Sequence, residues 1–230
     1  MQLTFASYNI HKAVGLDGKR DPERIITVLR ELDADIIAIQ EVDRRFGQRA
    51  SVLPRALLDD TKWRPMAVAK RPRSLGWHGN ALLVRRDIHA EFFTPLDLPT
   101  LEPRGAVMAE LEHGEQAFRI VGAHLDISGL RRRAQVRALI RHSSIRRQLP
   151  TVIMGDFNQW GRMTGAMRAF GMGWQQISPG PSYPARRPIA RFDRIVTTPH
   201  WRYVDSGVHH SATAAQASDH LPIWATLGIA

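Results

Sequence analysis

Short apolar runs that each end in polar residues recur along the whole of this chain. Their length and their β-branched residues are typical of strands rather than of helices. Eight runs fit this description, at residues 3–10, 36–39, 81–84, 107–111, 118–125, 152–154, 195–196 and 222–227. A chain with this pattern has to bury its strands in sheets, so we expect a fold built around β-structure.

Helical patterns lie between some of the runs. Asp21 followed by Pro22 is a typical helix start, because aspartate caps the first turn and proline suits the first helical position. Ser128 is in position to cap a second helix that carries its arginines on the outside. Residues 52–58 and 163–170 are two further helix candidates. Paired strands that also alternate with helices predict an α/β protein, with two sheets packed together and helices outside.

Length and composition set broad limits. We expect a single domain, residues 1–230, since neither a repeat nor a linker divides the chain. Residues 178–188, rich in proline and arginine, are interpreted as a surface loop. The lack of cysteine excludes disulfides, thiolate nucleophiles and zinc-thiolate sites. No signal peptide or bilayer-length apolar run is visible, so a cytoplasmic location is expected.

The charge of the chain is strongly positive. Lysine and arginine number 32 against 22 acidic residues, which gives a formal net charge of +10, and most of the basic residues are arginine. This balance favours a polyanionic partner, either nucleic acid or an anionic membrane surface, because the planar guanidinium matches phosphate geometry. The charge alone does not distinguish these two partners.

Carboxylate, amide and imidazole side chains, which can take part in catalysis or bind metal, stand at the ends of six of the strand-like segments. They are Asn9, Glu41, His124, Asp156 with Asn158, Asp193, and Asp219 with His220. One such residue usually caps a turn, but six segments together indicate a common site. Carboxylates crowded into one partly buried site need a compensating cation, and oxygen donors beside imidazole favour Mg²⁺ or Mn²⁺ over Zn²⁺.

The strand that leads to Asp156 shows how such a site is built. In an extended chain, residues two apart face the same side. Asp156 and Asn158 are therefore expected to point into the site together, while Phe157 turns away to pack.

Seven motifs, in order, carry a family resemblance. They are SYNIHKAVGLDG at residues 7–18, DADIIAIQEVD at 33–43, GNALLV at 79–84, VGAHLD at 121–126, GDFN at 155–158, FDRI at 192–195 and SDHLP at 218–222. Together they resemble the endonuclease/exonuclease/phosphatase family, which includes DNase I, exonuclease III-type AP endonucleases, neutral sphingomyelinases and inositol polyphosphate 5-phosphatases. The resemblance implies a four-layer α/β/β/α sandwich and metal-dependent hydrolysis of a phosphate ester.

The same resemblance implies a role for each strand-end residue. Glu41 would be the principal Mg²⁺ ligand, helped by Asn9 and Asp219. Asp156 would orient or deprotonate the attacking water, and Asn158 would hold that water or a phosphoryl oxygen.

The remaining catalytic candidates are two histidines, His220 and His124, and the carboxylate of Asp193. His220 would donate to the phosphate or transfer a proton, with Asp193 fixing and charging its ring. His124 is also placed in the catalytic set. It resembles the histidine of DNase-like and sphingomyelinase-like members, whereas AP endonucleases usually carry tyrosine there, which argues against abasic-site repair.

Substrate contacts are predicted from the loops. Arg104 is expected to reach a substrate phosphate or to form a surface ion pair, and His11, Lys12, His78 and Asn80 are expected near the site. Selectivity would reside in the long segments at residues 44–76 and 86–104.

Two functions are compatible with these features, and a third is disfavoured by them. The leading prediction is a phosphodiesterase or endonuclease that acts on nucleic acid, since strand binding needs a positive surface. The alternative is a phosphoesterase for phospholipid headgroups, phosphoinositides or small phosphorylated molecules. A binding module without activity would have lost members of the constellation, and all of them are present here.

Overall fold

The computed structural model describes residues 1–100, 104–161 and 164–229. Its strands are β1 (Gln2–Asn9), β2 (Ile36–Gln40), β3 (Trp63–Pro65), β4 (Ala81–Arg85), β5 (His89–Leu96), β6 (Gly105–His113), β7 (Gln116–His124), β8 (Thr151–Asp156), β9 (Gln175–Ile177), β10 (Asp193–Thr197), β11 (Arg202–Val208) and β12 (Ile223–Gly228). Its helices are α1 (Pro22–Leu32), α2 (Arg55–Asp59), α3 (Gly129–Ile145) and α4 (Ala214–Ala217), with 3₁₀ segments at His11–Ala13 and Gly165–Phe170.

The strands form two six-stranded sheets. The first has the order β11-β12-β1-β2-β4-β3, and the second has the order β5-β6-β7-β8-β10-β9. One apolar core fills the space between the sheets, where Phe5, Phe118 and Trp201 meet edge to face. A second core lies between the first sheet and α1, and a third between the other sheet and α3. The predicted four-layer α/β/β/α sandwich is therefore confirmed.

The predicted helix starts are confirmed in position. The Asp21 carboxylate accepts a hydrogen bond of 3.0 Å from the Arg24 amide, and Pro22 opens α1. Ser128 occupies the N-cap of α3, but its hydroxyl makes no capping hydrogen bond. The carboxylate of Asp126 instead accepts the Ser128 amide at 2.9 Å, so capping by the Ser128 side chain was wrong.

The two further helix candidates were only partly right. The segment predicted at residues 52–58 begins later and forms the short α2. The segment predicted at residues 163–170 is a 3₁₀ helix from Gly165, and Met163 lies outside the described residues.

All eight predicted strands are present, and the structure adds four more. The added strands are β3, β5, β9 and β11, which are the four sheet edges in the part of the chain that is described. Exposure alternates along β5, and β11 is largely exposed. An edge strand is covered on fewer sides than a central one, so it carries no continuous apolar run for a pattern search to find.

No helix among the described residues is long and apolar enough to span a membrane.

Candidate active site

Strand pairing brings the predicted site residues to one end of the sandwich. The parallel pair β7–β8 places His124 opposite Asp156, and the antiparallel pair β8–β10 places Asp193 opposite the same Asp156. In the other sheet, the parallel pair β1–β2 aligns Asn9 with Gln40, the residue before Glu41. The site therefore lies where the ends of both sheets meet.

Gly155 permits the close approach of β7 and β8 just before Asp156. Its φ angle is 154°, and a Cβ at this position would lie 1.8 Å from the carbonyl oxygen of Ala123. Any larger residue would push the strands apart, because the clash is with backbone. The glycine of the GDFN motif thus sets the distance between the two catalytic strands.

Asp156 is the centre of the site. Its Oδ2 accepts a 3.0 Å hydrogen bond from Asn9 Nδ2, and His124 Nε2 lies 3.3 Å and His220 Nε2 3.7 Å from the same oxygen. Asp156 is almost fully buried. Burial opposes ionisation, but the neighbouring imidazoles His124 and His220 outweigh it and hold the pKa of Asp156 well below its usual range. The carboxylate is therefore ionised and fixed in place.

Asn158 reaches the site differently from the prediction. Its φ of 50° is left-handed, whereas an extended chain was expected at this residue. Its amide N–H instead donates to Asp156 Oδ1 at 2.9 Å, and its side-chain amide donates to the Leu125 carbonyl at 3.0 Å. Phe157 packs away from the site, stacked on Phe170, as predicted.

His220 and Asp193 form a buried pair. His220 Nδ1 lies 2.9 Å from Asp193 Oδ2, and the hydroxyl of Ser182 donates to that same oxygen. Burial alone would lower the pKa of His220, but Asp193 and then Asp156 outweigh it and raise the pKa to about 10. The ring is therefore an imidazolium at neutral pH, with its Nε2–H on the side of Asp156.

Ser218 ties this imidazole to the first strand. Its hydroxyl donates to the carbonyl of Asn9 at 2.7 Å and accepts the His220 amide at 3.2 Å. It also lies 3.3 Å from Asp219 Oδ1. The serine of the SDHLP motif is thus a positioning residue for its two neighbours.

Glu41 follows β2 in a left-handed conformation, with φ of 59°. Its carboxylate is paired with the ammonium of Lys12. Burial opposes its ionisation, but His124, Lys12 and Arg104 overcome that effect and lower the pKa of Glu41. Lys12 lies in a run of three consecutive left-handed residues, His11–Ala13, a conformation that non-glycine residues rarely adopt.

The residues predicted to bind metal offer oxygen donors at this end. Asn9 Oδ1 accepts the His11 amide at 3.1 Å, and Asp219 Oδ1 lies 3.9 Å from His11 Nδ1. With Glu41 they supply two carboxylates and an amide, a donor set suited to Mg²⁺. In this arrangement the Lys12 ammonium supplies the cation that faces Glu41.

A second group of donor atoms lies close together. The ligand atoms of Asp156, Asp193 and His220 all lie within 4.8 Å of one another. These three residues were predicted to be catalytic and could also hold a metal. In the present arrangement the imidazolium of His220 compensates the two carboxylates.

The residues predicted to contact substrate differ in their position relative to the site. Arg104 Nη1 lies 2.7 Å from His124 Nδ1 and also contacts Nε2, so this guanidinium is at the site. Asn80 is buried, and its side chain donates to the carbonyls of Trp77 and His78. Its Oδ1 has no hydrogen-bond partner among the described atoms. His11 lies near Asp219, as described above.

A pocket opens beside these residues. Its inner wall includes Lys12, Glu41, Arg104 and His124. Its outer wall is formed by residues from two segments, 43–49 and 70–79. The pocket therefore connects the catalytic end of the sheets with one of the two segments in which selectivity was predicted.

Some functional residues were missed in the sequence. Ser182 lies in the segment interpreted as a surface loop, yet it is fully buried and holds Asp193. No pattern in that segment indicates its role. Ser218 could have been found from its place within the SDHLP motif.

The fold and site define a phosphoesterase of the DNase I-like class. A sequence profile described as "Endonuclease/Exonuclease/phosphatase family" matches residues 6–220, and the chain belongs to this family. A search of curated proteins found no significant match.

Solved structures share the same fold. The endonuclease/exonuclease/phosphatase from Bacteroides vulgatus superposes with a TM-score of 0.81 at 20% identity, over 100% of both chains. TDP2 of D. rerio in complex with a single-strand DNA product has a TM-score of 0.75 at 14% identity, over 99% of both chains. A mannosyl-6-phosphatase from Bacteroides thetaiotaomicron has a TM-score of 0.74 at 19% identity, over 99% of this chain and 100% of that one.

Proposed function

We propose that this phosphoesterase is a divalent-metal-dependent phosphodiesterase that acts on nucleic acid. The observation that carries the proposal is the convergence of Asn9, His124 and His220 on one ionised carboxylate, Asp156, beside a basic pocket. The positive net charge of the chain supports a polyanionic substrate.

The residues have complementary roles in phosphoryl transfer. Asp156 accepts a hydrogen bond from the attacking water and orients it toward phosphorus. The His220 imidazolium donates a proton or hydrogen bond from Nε2 to the phosphoryl or leaving oxygen, where negative charge develops. Asp193 and Ser182 hold the ring in the orientation that directs Nε2 into the site.

Two further side chains stabilise the substrate. Arg104 is placed against His124 on the pocket wall, where its guanidinium is suited to a phosphoryl oxygen. Asn158, anchored on Asp156 and Leu125, borders the position of the attacking water.

Mg²⁺ or Mn²⁺ would be held by Glu41, with Asn9 and Asp219 assisting. When bound, the ion would supply Lewis-acid stabilisation of charge on the phosphate. Lys12 would then leave Glu41 and turn toward the anionic substrate, since both face the same pocket.

Hydrolysis of bis-p-nitrophenyl phosphate tests the reaction type. We expect release of nitrophenol with Mg²⁺ or Mn²⁺, no release with EDTA, and almost none from Asp156→Ala. Circular dichroism shows whether each protein is folded. A folded wild-type protein that is inactive in every metal would contradict the proposal.

Titration of the same activity with Mg²⁺ tests the metal ligand. Glu41→Ala removes a carboxylate and should move the midpoint to higher Mg²⁺ concentration. An unchanged midpoint would reject Glu41 as a ligand.

A small phosphorylated molecule or lipid headgroup is the second candidate substrate. The concave pocket beside the site favours it, because small ligands bind in clefts that bring a few polar groups together. A panel of plasmid DNA, single-stranded DNA, RNA, sphingomyelin, phosphoinositides and a sugar phosphate, at one salt concentration, distinguishes the candidates. Cleavage of sphingomyelin or phosphoinositide alone would overturn the nucleic-acid assignment.

A further inference from the structure

The outer wall of the pocket carries a basic cluster, defined here as Arg44, Arg49, Lys70 and Arg71. The first two residues follow β2 and the last two precede β4, so two separate segments bring the charges together. Cations gathered on one wall repel one another until an anion binds between them.

The two segments are fastened to each other below the cluster. Buried Asp43 accepts hydrogen bonds from the amides of Leu75 at 2.8 Å and Gly76 at 3.2 Å. The hydroxyl of Ser74 donates to the carbonyl of Arg49 at 2.7 Å. The relative position of the two segments is therefore fixed by buried hydrogen bonds rather than by an anion.

Three members of the cluster contact groups that carry no negative charge and so do not neutralise them. Arg49 Nη1 lies 3.1 Å from His78 Nδ1, and the Lys70 ammonium lies 4.3 Å from the centre of the Trp77 ring. Arg71 Nη1 donates to the Gly47 carbonyl at 3.3 Å.

The two carboxylates of the pocket wall are engaged elsewhere. Glu41 is paired with Lys12, and Asp43 accepts the backbone amides described above. The basic cluster therefore keeps a positive charge that suits an incoming anion. Burial, and then Arg49, also lower the pKa of His78, in agreement with a positive field at this wall.

We propose that the basic cluster binds a second phosphate group of the substrate while the phosphate ester that is hydrolysed lies at Asp156 and His220. The proposal rests on the proposed function. Glu41, Arg104 and His124 line the same pocket as the cluster, and His124 Nε2 lies 3.3 Å from Asp156 Oδ2, so the pocket adjoins the position of the hydrolysed ester. Guanidinium groups bind phosphate through two parallel hydrogen bonds, which explains the use of arginine here.

The second phosphate has two chemical sources. It is either the neighbouring phosphate of a nucleic-acid strand or the other phosphate of a small bisphosphate. Both present anionic phosphoryl oxygens to the cluster, the strand as a monoanionic diester and the bisphosphate as a monoester, and the experiment separates them.

Binding measured by isothermal titration calorimetry tests the cluster without requiring turnover. The probes are thymidine 3′,5′-bisphosphate and thymidine 5′-monophosphate, which differ only in the second phosphate. Wild-type protein should bind the bisphosphate about tenfold more tightly or better. Arg44→Ala and Arg71→Ala should each reduce this ratio, and the double variant should bring it close to one.

Arg137→Ala is the matched control, because Arg137 is exposed on α3 and lies outside the pocket. It should keep the wild-type ratio. Equal affinities for the two probes in wild type, or a ratio that survives in the double variant, would overturn the proposal. Hydrolysis of bis-p-nitrophenyl phosphate by wild type and Arg137→Ala tests the proposed function separately, and Arg137→Ala should keep the wild-type rate.

A thymidine trinucleotide identifies the source. If the cluster binds a strand, replacing one linkage with a neutral methylphosphonate should weaken binding to wild type but not to the double variant. If the trinucleotide binds no more tightly than thymidine 5′-monophosphate while the bisphosphate does, a small bisphosphate is the ligand. In either case the second phosphate is confirmed.

Discussion

At the scale of single residues, function depends on one imidazole and the groups that charge it. His220 is buried between two carboxylates, Asp193 on its Nδ1 side and Asp156 on its Nε2 side. A neutral ring would leave one of these contacts without a proton. The two carboxylates therefore keep His220 protonated at the position where negative charge develops on the phosphate.

Removing this imidazole should slow the reaction without affecting metal binding. His220→Ala is expected to lower kcat on bis-p-nitrophenyl phosphate by at least ~10²-fold, the scale of proton transfer and charge stabilisation. Asp193→Asn should lower kcat in the same direction, because asparagine cannot compensate the imidazolium. The Mg²⁺ midpoint should stay at its wild-type value in both. A His220→Ala enzyme with wild-type kcat would remove the residue from the mechanism.

At the scale of elements, a buried ion pair fastens α3 to the second sheet. Glu110 on β6 accepts hydrogen bonds from Arg119 on β7 at 2.8 Å and from Arg146, just after α3, at 2.9 Å. Arg119 also donates to the Ser143 and Arg147 carbonyls. Glu110 and Arg119 are almost completely buried, so neither charge is solvated by water.

Glu110→Gln should therefore cost about 3–5 kcal/mol of unfolding free energy, because it leaves the Arg119 charge buried without its partner. Chemical denaturation measures this loss. Glu91→Gln is the control, since Glu91 pairs with Arg147 at the surface, and it should cost less than about 1 kcal/mol. Similar losses for the two variants would contradict this reading of the buried pair.

The same pair predicts a pH dependence of stability. Burial opposes ionisation of Glu110, but Arg119 and Arg146 overcome it and lower its pKa below the ordinary value of 4.5. A carboxylate whose pKa is lowered in the folded state stabilises the fold at pH values above its unfolded-state pKa. It loses that contribution as the pH falls through its folded-state pKa. The stability difference between wild type and Glu110→Gln should thus be constant at neutral pH and shrink below pH 4.5. Denaturation curves across that range check it.

At the scale of the whole molecule, charge should govern substrate capture. If a single-stranded oligonucleotide is the substrate, each phosphate contact adds about 0.7 to the slope of log affinity against log salt concentration. Roughly three contacts should therefore raise KM about 20-fold between about 50 and about 200 mM salt. KM for bis-p-nitrophenyl phosphate should change far less, because it carries a single charge. Equal salt effects on the two substrates would argue against strand binding.

The sequence by itself determined the central strands, the two long helices and the candidate site residues. Continuous apolar runs mark strands that are covered on both faces, and the polar residues that end them mark the end of the sheets. Asn9, His124, Asp156, Asp193 and His220 were all predicted in this way, and the structure brings them together. Their roles, and the single domain over residues 1–230, stay predictions.

Tertiary structure alone decided the edges of the sheets, the burial of Ser182 and the assembly of the basic cluster. Edge strands have fewer covered faces, so their sequences carry no strong apolar signal. Arg44 and Arg71 each resemble an ordinary surface arginine in the sequence. They share a wall only because the β2–β4 pairing and the buried hydrogen bonds of Asp43 bring their segments together, and contacts between distant segments leave no local pattern.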